Sequence, residues 1–177
     1  MSDASTDVDT PAPEPVEAPT RYGVPVTDSF GQAVLHPSRD GLDAFVLALR
    51  DEHGFNMCID VTAVDYVSHP ARPAVPEGVE PERFELIVNL ISHTNRERVR
   101  LRVQVPASDP TVPTLFDVHP GAEALEREVY DLFGITFTGH PDMTRILMPE
   151  DWVGHPLRKD YAIGAIPVQF KAAKNTR

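Results

Sequence analysis

Cysteine is scarce in this sequence, which has a single one, Cys58, among its 177 residues. One thiol cannot form an internal disulfide, and it cannot supply the several thiolates that an iron–sulfur cluster or a structural zinc site requires. Long apolar runs are also missing, because none approaches the ~20 residues that a helix needs to cross a bilayer. The chain is therefore expected to hold no iron–sulfur cluster of its own and no membrane-spanning helix.

Positive charge is in short supply as well. The chain has 16 Lys and Arg residues against 27 Asp and Glu residues, which gives a formal net charge of −11. Binding to nucleic acid needs clustered Lys and Arg side chains that neutralise phosphates. We therefore expect no nucleic-acid partner.

The motifs of several enzyme classes are absent from the sequence. It has no Gly-rich phosphate loop and no Gly-x-Ser-x-Gly elbow, and Cys58 lies within a strand pattern. Nucleotide binding and covalent catalysis therefore have no recognisable basis. The length and the 41% hydrophobic content predict one globular domain with a sizeable core.

Residues 1–20 differ in composition from the rest of the chain. They contain five acidic side chains, four prolines and no basic side chain. Such a segment cannot bury enough apolar surface to offset its ordering entropy, so we interpret it as a disordered acidic, proline-rich tail. It has neither the basic start and apolar run of a secretory signal nor the arginines of a transit peptide. The protein is therefore expected to stay in the compartment where it is made.

The clearest helical pattern follows Ser38, a residue type that caps helices. Four apolar residues recur at helical spacing: Leu42, Phe45, Val46 and Leu49. Gly54 stands where a left-handed residue ends a helix. The pattern predicts an amphipathic helix from Ser38 to about His53.

Three β-rich segments follow this helix, over 55–66, 84–92 and 98–105, with a proline-rich loop over 67–82. In the third segment, Val99, Leu101, Val103 and Val105 alternate with Arg98, Arg100, Arg102 and Gln104. The alternation predicts one buried and one outward face. The outward arginines could bind an acidic partner, but solvation or pairing with carboxylates is the favoured interpretation. A short extended piece is predicted over 111–118.

A second helix is predicted over 122–133. Its apolar stripe is Ala122, Leu125, Val129, Leu132 and Phe133, and a charge ladder of Glu123, Arg127 and Asp131 lies on the opposite side. Glu126 and Glu128 are two residues apart, about 160° around the axis, so they cannot act together on one bond. Gly134 ends the helix, and residues 135–138 alternate as a short strand.

These elements predict a two-layer α+β domain over 21–134, with helices packed on a mainly antiparallel sheet. The remaining residues, 135–177, form an extended C-terminal arm with little regular pattern. Eight large apolar side chains in this arm would be costly to leave in water: Phe137, Met143, Ile146, Leu147, Met148, Trp152, Leu157 and Tyr161. The arm is therefore expected to bind a partner surface.

A series of short motifs runs from the second helix into the arm. Its blocks are Glu126-Arg127-Glu128, Asp131-Leu132-Phe133-Gly134-Ile135, Gly139-His140-Pro141-Asp142, Arg145-Ile146-Leu147 and Gly154-His155-Pro156-Leu157-Arg158-Lys159-Asp160-Tyr161. In order and separation, the blocks resemble the signature of the 30-kDa, or C, subunit of respiratory complex I, the proton-pumping NADH:quinone oxidoreductase. One departure is Ala124, which stands where that family usually has Trp. The smaller side chain is expected to leave buried surface that another residue must fill.

The resemblance implies a non-catalytic scaffold subunit in the peripheral arm of that complex. It implies no cofactor in this chain, with FMN, iron–sulfur clusters and quinone in partner subunits that carry electrons from NADH to quinone. The implied partners are the 49-kDa-type (D) subunit and neighbouring iron–sulfur subunits, on the cytoplasmic side of the bacterial cell membrane. Contact with the membrane would be indirect, through the complex. A homologous subunit of a membrane-bound hydrogenase, or of a ferredoxin- or F420-fed complex, is the alternative.

The residues expected to bind the partner share charge, an aromatic ring or a place in these motifs. They are Glu126, Arg127, Glu128, Asp131, His140, Asp142, Arg145, Trp152, His155, Arg158, Lys159, Asp160 and Tyr161. Arg can bind carboxylates with two hydrogen bonds, and Trp and Tyr combine large contact area with a polar atom. The alternative is that these side chains fold back and pair on their own domain.

A metal-dependent hydrolase is a remote alternative. Its ligands would be His140, Asp142, His155 and Asp160, with His119 as a further candidate. The spacing of these residues is not diagnostic, and the neighbouring prolines suit turns equally well.

Overall fold

A computed structural model of the protein describes residues 19–162. The predicted acidic tail lies almost entirely outside these residues, as does the part of the predicted arm over 163–177. The predicted domain boundaries at 20 and 134 therefore stay predictions.

Six strands form one mixed sheet. They are β1 (Thr20–Arg21), β2 (Val24–Ser29), β3 (Gln32–Leu35), β4 (Met57–Asp65), β5 (Phe84–Ser92) and β6 (Glu97–Val105). The strand order is β1-β2-β3-β6-β5-β4. Strands β3 and β6 are parallel, and the other neighbouring strands are antiparallel. The predicted α+β class with a mainly antiparallel sheet is confirmed.

Two tight hairpins build the half of the sheet that the sequence patterns do not predict. Tyr22 and Gly23 join β1 to β2, and Phe30 and Gly31 join β2 to β3. All four residues have a positive φ, between 53° and 79°. Two consecutive left-handed residues match the twist of adjoining antiparallel strands, which is why such turns close two-residue hairpins.

Helix α1 (Leu42–Asp51) starts later than predicted. Ser38 is not its cap, because Gly41 precedes the first turn in a left-handed conformation with no side-chain cap. The neighbouring Arg39 lies before the helix, and its side chain donates to the carbonyl and the carboxylate of Asp109. At the other end, Gly54 has a φ of 73°, as the sequence predicts. The amphipathic pattern itself is confirmed by the burial of Leu42, Val46 and Leu49.

Helix α2 (Glu123–Phe133) follows a single 3₁₀ turn and packs against β4. Its Val129 and Phe133 join the core beneath the sheet, together with the α1 side chains. The predicted strand after Gly134 forms as β8 (Thr136–Thr138), which pairs in parallel with β7 (Thr111–Pro113). This small second sheet fixes where the arm leaves the domain.

The face of the sheet that turns away from the core holds buried charge. Arg102 donates from Nε and Nη2 to the two carboxylate oxygens of Glu85, at 2.7 and 2.9 Å. Gln104 and Tyr66 also donate to this carboxylate. The favoured interpretation of the arginine row is solvation or pairing with carboxylates, and pairing is observed at Arg102. The outward, solvent-facing position predicted for Arg102 is wrong, because its side chain is buried.

Candidate partner-docking surface

Asp131, in the last turn of α2, is fully buried. Its Oδ2 accepts hydrogen bonds from the backbone N–H groups of Ile146, Leu147 and Met148, at 3.1, 2.8 and 2.8 Å. Its Oδ1 lies 2.5 Å from Nη1 of Arg145. We call these contacts the Asp131 latch, because one carboxylate holds four consecutive residues of the arm.

Burial alone would raise the pKa of the Asp131 carboxyl. The hydrogen bonds from Met148, Arg145 and the other two N–H groups favour the charged form and hold the pKa below its ordinary value. At neutral pH the Asp131 carboxylate is therefore ionised in the folded chain. Asp131 does not belong to a solvent-facing charge ladder, so that prediction is wrong at this residue.

Arg127 confirms the helical pairing predicted for the rest of the ladder. Its Nη1 lies 3.2 Å from the carboxylate of Glu123, one turn earlier. The same guanidinium also reaches the arm, where it donates to Thr144 Oγ1 at 2.9 Å and to the carbonyl oxygens of Thr144 and Arg145. Arg127 therefore holds the arm one turn before the Asp131 latch.

The second motif of the arm, around His155, closes the C-terminal end of α2. A helix leaves its last carbonyl groups without partners in the helix itself. Here His155 Nδ1 donates to the carbonyl of Asp131 at 3.0 Å, and the N–H of Leu157 donates to that of Leu132 at 3.0 Å. Arg158 donates from Nε to the carbonyl of Phe133 at 2.5 Å and from Nη2 to that of Gly134 at 3.3 Å. The arm therefore acts as the cap of α2.

The cap leaves no room for a side chain at Gly134. This residue has a φ of 72°, and a Cβ atom there would lie 2.5 Å from Nη2 of Arg158 and 2.6 Å from Nε2 of His155. Burial lowers the pKa of His155, and the nearby charges of Arg158 and Arg145 lower it further. The imidazole is therefore a neutral hydrogen-bond donor at neutral pH.

The far end of the described arm is tied to the sheet. Arg83 binds both oxygens of the buried Asp65 carboxylate, at 3.0 and 2.7 Å, and its Nη2 also lies 2.8 Å from Asp160. The backbone N–H of Lys159 donates to the same Asp65 carboxylate at 2.9 Å. No motif in the sequence marks Asp65 and Arg83 as anchors of the arm. The available signal was a charged residue in phase with the buried positions Val61 and Ala63.

Glu126 and Glu128 have separate environments, as their spacing predicts. Glu126 is fully buried and accepts hydrogen bonds from Thr114 Oγ1 at 2.5 Å and the N–H of Leu115 at 2.6 Å. Burial raises the pKa of Glu126 despite these bonds. Glu128 is exposed. Glu126 therefore fixes the segment after β7, while Glu128 is available to solvent or to a partner.

The metal-dependent alternative fails on geometry. His140 Nε2 lies 3.1 Å from the carbonyl of Glu123 at the start of α2, and its Nδ1 accepts the N–H of Asp142. His155 contacts Asp131, eight residues further along the helix and so roughly 12 Å away. In residues 19–162, no three or more His, Cys, Asp or Glu side chains are grouped to hold a metal ion. The four proposed ligands therefore do not meet at one metal site within the described residues.

Four aliphatic side chains of the arm are exposed. Val153 is 85% exposed, Leu147 59%, Leu157 45% and Ile146 41%. Trp152, the sequence neighbour of Val153, is half-buried, and its buried Nε1 has no acceptor among residues 19–162. We call these five residues the apolar face of the arm. Three further residues of the predicted partner-binding set lie in the arm. Asp142 and Lys159 are exposed, and Tyr161 is half-buried with its hydroxyl 3.4 Å from the carbonyl of Val153.

Most of the predicted interface side chains are engaged within the chain, among them Glu126, Arg127, Asp131, His140, Arg145, His155, Arg158 and Asp160. For these residues, the alternative that the side chains pair on their own domain describes the observed contacts. Binding of a partner by any of the thirteen residues stays a prediction. The expectation for Ala124 is wrong, because Ala124 is exposed and leaves no buried hole to fill.

No helix in residues 19–162 combines the length and apolar character of a membrane span. The fold and the motifs are similar to those of one family of known proteins. The family model described as "Respiratory-chain NADH dehydrogenase, 30 Kd subunit" matches residues 35–166, well over half of the chain.

The similar proteins share one description, that of the C subunit of NADH-quinone oxidoreductase. The relative from Saccharopolyspora erythraea is 43% identical over 158 residues, which is 88% of this chain and 59% of the relative. The relative from Salinispora arenicola is 40% identical over 81% of this chain and 56% of the relative. The relative from Herpetosiphon aurantiacus is 45% identical over 83% of this chain and 81% of its own length. The chain therefore spans less than two thirds of the first two relatives.

Two solved structures share the fold. The trypsin-resistant fragment (1-134) of Nqo5 is 36% identical, with a TM-score of 0.59, over 68% of this chain and 89% of that one. A chain of the membrane-bound sulfane sulfur reductase, an archaeal respiratory membrane complex, has a TM-score of 0.65 at 23% identity, over 87% and 90%. At that identity the second match shows the fold alone. The chain belongs to the family of the 30 Kd subunit of respiratory-chain NADH dehydrogenase.

Proposed function

We propose that this chain is a non-catalytic scaffold subunit in the peripheral arm of the proton-translocating NADH:quinone oxidoreductase. Its C-terminal arm docks on the 49-kDa-type (D) subunit. The observation that carries this proposal is the two-sided arm. One side is fixed to α2 and the sheet by the Asp131 latch and the Asp65 carboxylate, and the other side presents the apolar face.

The apolar face has the composition of an interface. Trp is enriched among residues that dominate binding energy, and its indole N–H needs an acceptor once it is buried. Trp152 Nε1 is already buried and lacks one within residues 19–162, and four aliphatic side chains of the arm are exposed. A partner that covers these four side chains removes them from water.

The scaffold role follows from rigidity. Electron transfer and quinone binding require parts that are held in place to a fraction of an ångström, which a well-packed supporting subunit provides. In the proposed complex, FMN, iron–sulfur clusters and quinone belong to partner subunits, which pass electrons from NADH to quinone. The chain lies on the cytoplasmic side of the bacterial membrane and reaches it through its neighbours.

The proposal is tested by purifying the tagged chain from native membranes in mild detergent. Mass spectrometry of the eluate is expected to find the D-type subunit, iron–sulfur subunits and the NADH- and flavin-binding subunits, with NADH:quinone activity in the same fraction. A complex without the NADH- and flavin-binding subunits would instead support the hydrogenase or ferredoxin- or F420-fed alternative. Recovery of the chain alone would contradict the scaffold proposal.

The contact with the D-type subunit needs a site-specific test. A photo-crosslinking amino acid at Val153, on the apolar face, is expected to capture that subunit. The same amino acid at Leu47, an exposed aliphatic residue on α1, is the matched control and is expected not to capture it. Capture of another subunit from Val153 would keep the scaffold role and assign the arm a different neighbour.

A further inference from the structure

A groove lies beside the first described residues, and no described residue of the arm contributes to its lining. It has a volume of about 750 Å³ and runs between the β2–β3 hairpin and the start of β6. Pro19 and Arg21 line it on one side, and Arg96 and Arg98 line it on another. Phe30 lies on its rim, fully exposed at the hairpin turn. We call it the arginine groove.

The arginine groove contains positive charge that the described residues do not neutralise. Arg21 forms an ion pair with Glu97, and the carboxylate of Asp28 accepts the N–H of Gly31. Within residues 19–162, the exposed side chains of Arg96 and Arg98 have no hydrogen bond or ion pair. A second hollow of about 290 Å³ continues along the same two arginines. The groove therefore favours an acidic occupant.

The sequence supplies such an occupant directly at the mouth of the groove. Residues 1–18 carry five acidic side chains and no basic one, and they join the described chain at Pro19, which is itself part of the lining. Even a fully extended backbone places Glu17 at most about 7 Å and Glu14 at most about 18 Å from Pro19. A tether this short gives the carboxylates a high local concentration at the groove.

The chemistry of residues 11–17, Pro-Ala-Pro-Glu-Pro-Val-Glu, matches both parts of the lining. Proline-rich segments bind aromatic-lined grooves as polyproline II helices, and Phe30 offers such a ring. That helix repeats every 3 residues with about 3.1 Å of rise each, so Glu14 and Glu17 would share one side, about 9 Å apart. Arg96 is the turn residue directly before β6, with a φ of 52°, and Arg98 is the second residue of β6. Both line the groove, and their long side chains can adjust to this spacing.

We propose that residues 11–17 of this chain dock in the arginine groove, with the carboxylates of Glu14 and Glu17 on Arg96 and Arg98. The inference is independent of the arm and goes beyond the proposed scaffold function. In this arrangement the chain itself covers Arg96 and Arg98, and these side chains no longer bind polyanions.

The test is nuclear magnetic resonance on the full chain with a spin label in the tail. A label at Thr10→Cys, in a Cys58→Ser background, is expected to cause a loss of amide signal at Gly31, Glu97 and Arg98 in low salt. Raising the salt from about 0.01 M to about 1 M shortens the Debye length from ~30 Å to ~3 Å and is expected to restore the signals.

Two charge-matched variants decide whether the specific carboxylates matter. Glu14→Gln/Glu17→Gln is expected to abolish the signal loss, whereas Asp3→Asn/Asp7→Asn removes the same charge and is expected to keep it. Equal behaviour of the two variants, or signal loss at another surface, would overturn the proposal. So would the absence of signal loss combined with shifts of the groove amides on adding phosphatidylserine vesicles, which would assign the groove to an anionic lipid surface.

Discussion

The Oδ1 atom of Asp131 lies 2.5 Å from Nη1 of Arg145, so a buried carboxylate on α2 forms a direct ion pair with the arm. Replacing Asp131 with Asn removes the charge while keeping the shape. Loss of one partner of a buried pair costs about 3 kcal/mol or more. We expect Asp131→Asn to lower the free energy of unfolding in urea by about this amount. The control is Asp142→Asn on the exposed arm, expected to change stability by at most about 0.5 kcal/mol. Equal losses of unfolding free energy in the two variants would show that the buried Asp131 carboxylate contributes no more to stability than an exposed one.

The pH dependence of the same difference is a second prediction. The folded-state pKa of Asp131 is held below its ordinary value, so the folded chain binds this proton less readily than the unfolded chain. The stability contributed by its charge is therefore complete above the unfolded value of about 3.9 and is lost as pH falls through the folded pKa. We expect the stability difference between the native chain and Asp131→Asn to be constant above about pH 5 and to shrink below it. Urea unfolding at a series of pH values checks this, and a difference that grows on acidification would contradict it.

The tight contact at Gly134 gives a third prediction. Gly134→Ala strains a left-handed residue and also pushes Arg158 and His155 away from the end of α2. We expect a loss of more than about 2 kcal/mol, since the left-handed conformation alone costs a non-glycine residue about 1–2 kcal/mol. Gly78→Ala is the matched control, because Gly78 has a similar φ of 81° with open space around it. Equal losses of stability in the two variants would show that Arg158 and His155 can move away from position 134 without a cost in free energy.

A fourth prediction concerns the apolar face. Val153→Glu alters a side chain that is 85% exposed, so the isolated chain should keep its stability to within about 0.5 kcal/mol. In cells, the variant is expected to lower the amount of assembled complex and its quinone-reductase activity together. Leu47→Glu on α1 is the control and is expected to leave both unchanged. Normal assembly of Val153→Glu would remove this face from the interface.

Trp152→Ala and Arg158→Glu are expected to lower assembly and activity in the same way, but they differ in the isolated chain. Arg158 caps two carbonyl groups of α2, so its reversal should also reduce the stability of the free subunit. Comparison of the two variants in urea separates loss of the cap from loss of the interface. Normal assembly with lost activity in either variant would instead implicate the arm in the chemistry.

The last prediction concerns Cys58. Burial raises the pKa of its thiol from about 9 to about 11. At pH 8, the thiolate fraction is therefore about a hundredfold smaller in the folded chain than in the unfolded one. Reaction with a thiol reagent, followed by absorbance, should be slower in buffer than in concentrated urea, by a factor on the order of a hundred. Similar rates would show that β4 opens readily around this residue.

Periodicity predicted the elements that bury a regular apolar face. Leu42, Val46 and Leu49 mark α1, and the glycines that follow the two helices, Gly54 and Gly134, take the left-handed conformation expected of them. The first three strands escaped prediction because their turns pair Gly with Tyr22 and Phe30. These bulky residues rarely occupy left-handed backbone, so the turns lack the usual Asn-Gly signal.

The buried carboxylates could not be predicted from helical or strand spacing. Glu126 and Asp131 are acidic residues, a type that usually faces solvent. Both are fully buried here, because backbone N–H groups that are distant in sequence donate hydrogen bonds to them. Hydrogen-bond partners that are far apart in sequence leave no periodic trace. The family motif did identify Arg145 and Arg158 as important. Their contacts with α2 show that at least part of the motif preserves the internal fit of the arm.

The tie between Asp65 and the N–H of Lys159 spans 94 residues of sequence. Contacts of such high separation require a large loop to close, which carries an entropic cost that local contacts do not have. During synthesis, the ribosome must therefore pass Lys159 before the Asp65 carboxylate and the end of α2 obtain these partners. A nascent chain that stops short of this residue retains a buried carboxylate with fewer donors and a helix with free carbonyl groups. Completion of the arm is thus a late commitment step in the biogenesis of the subunit.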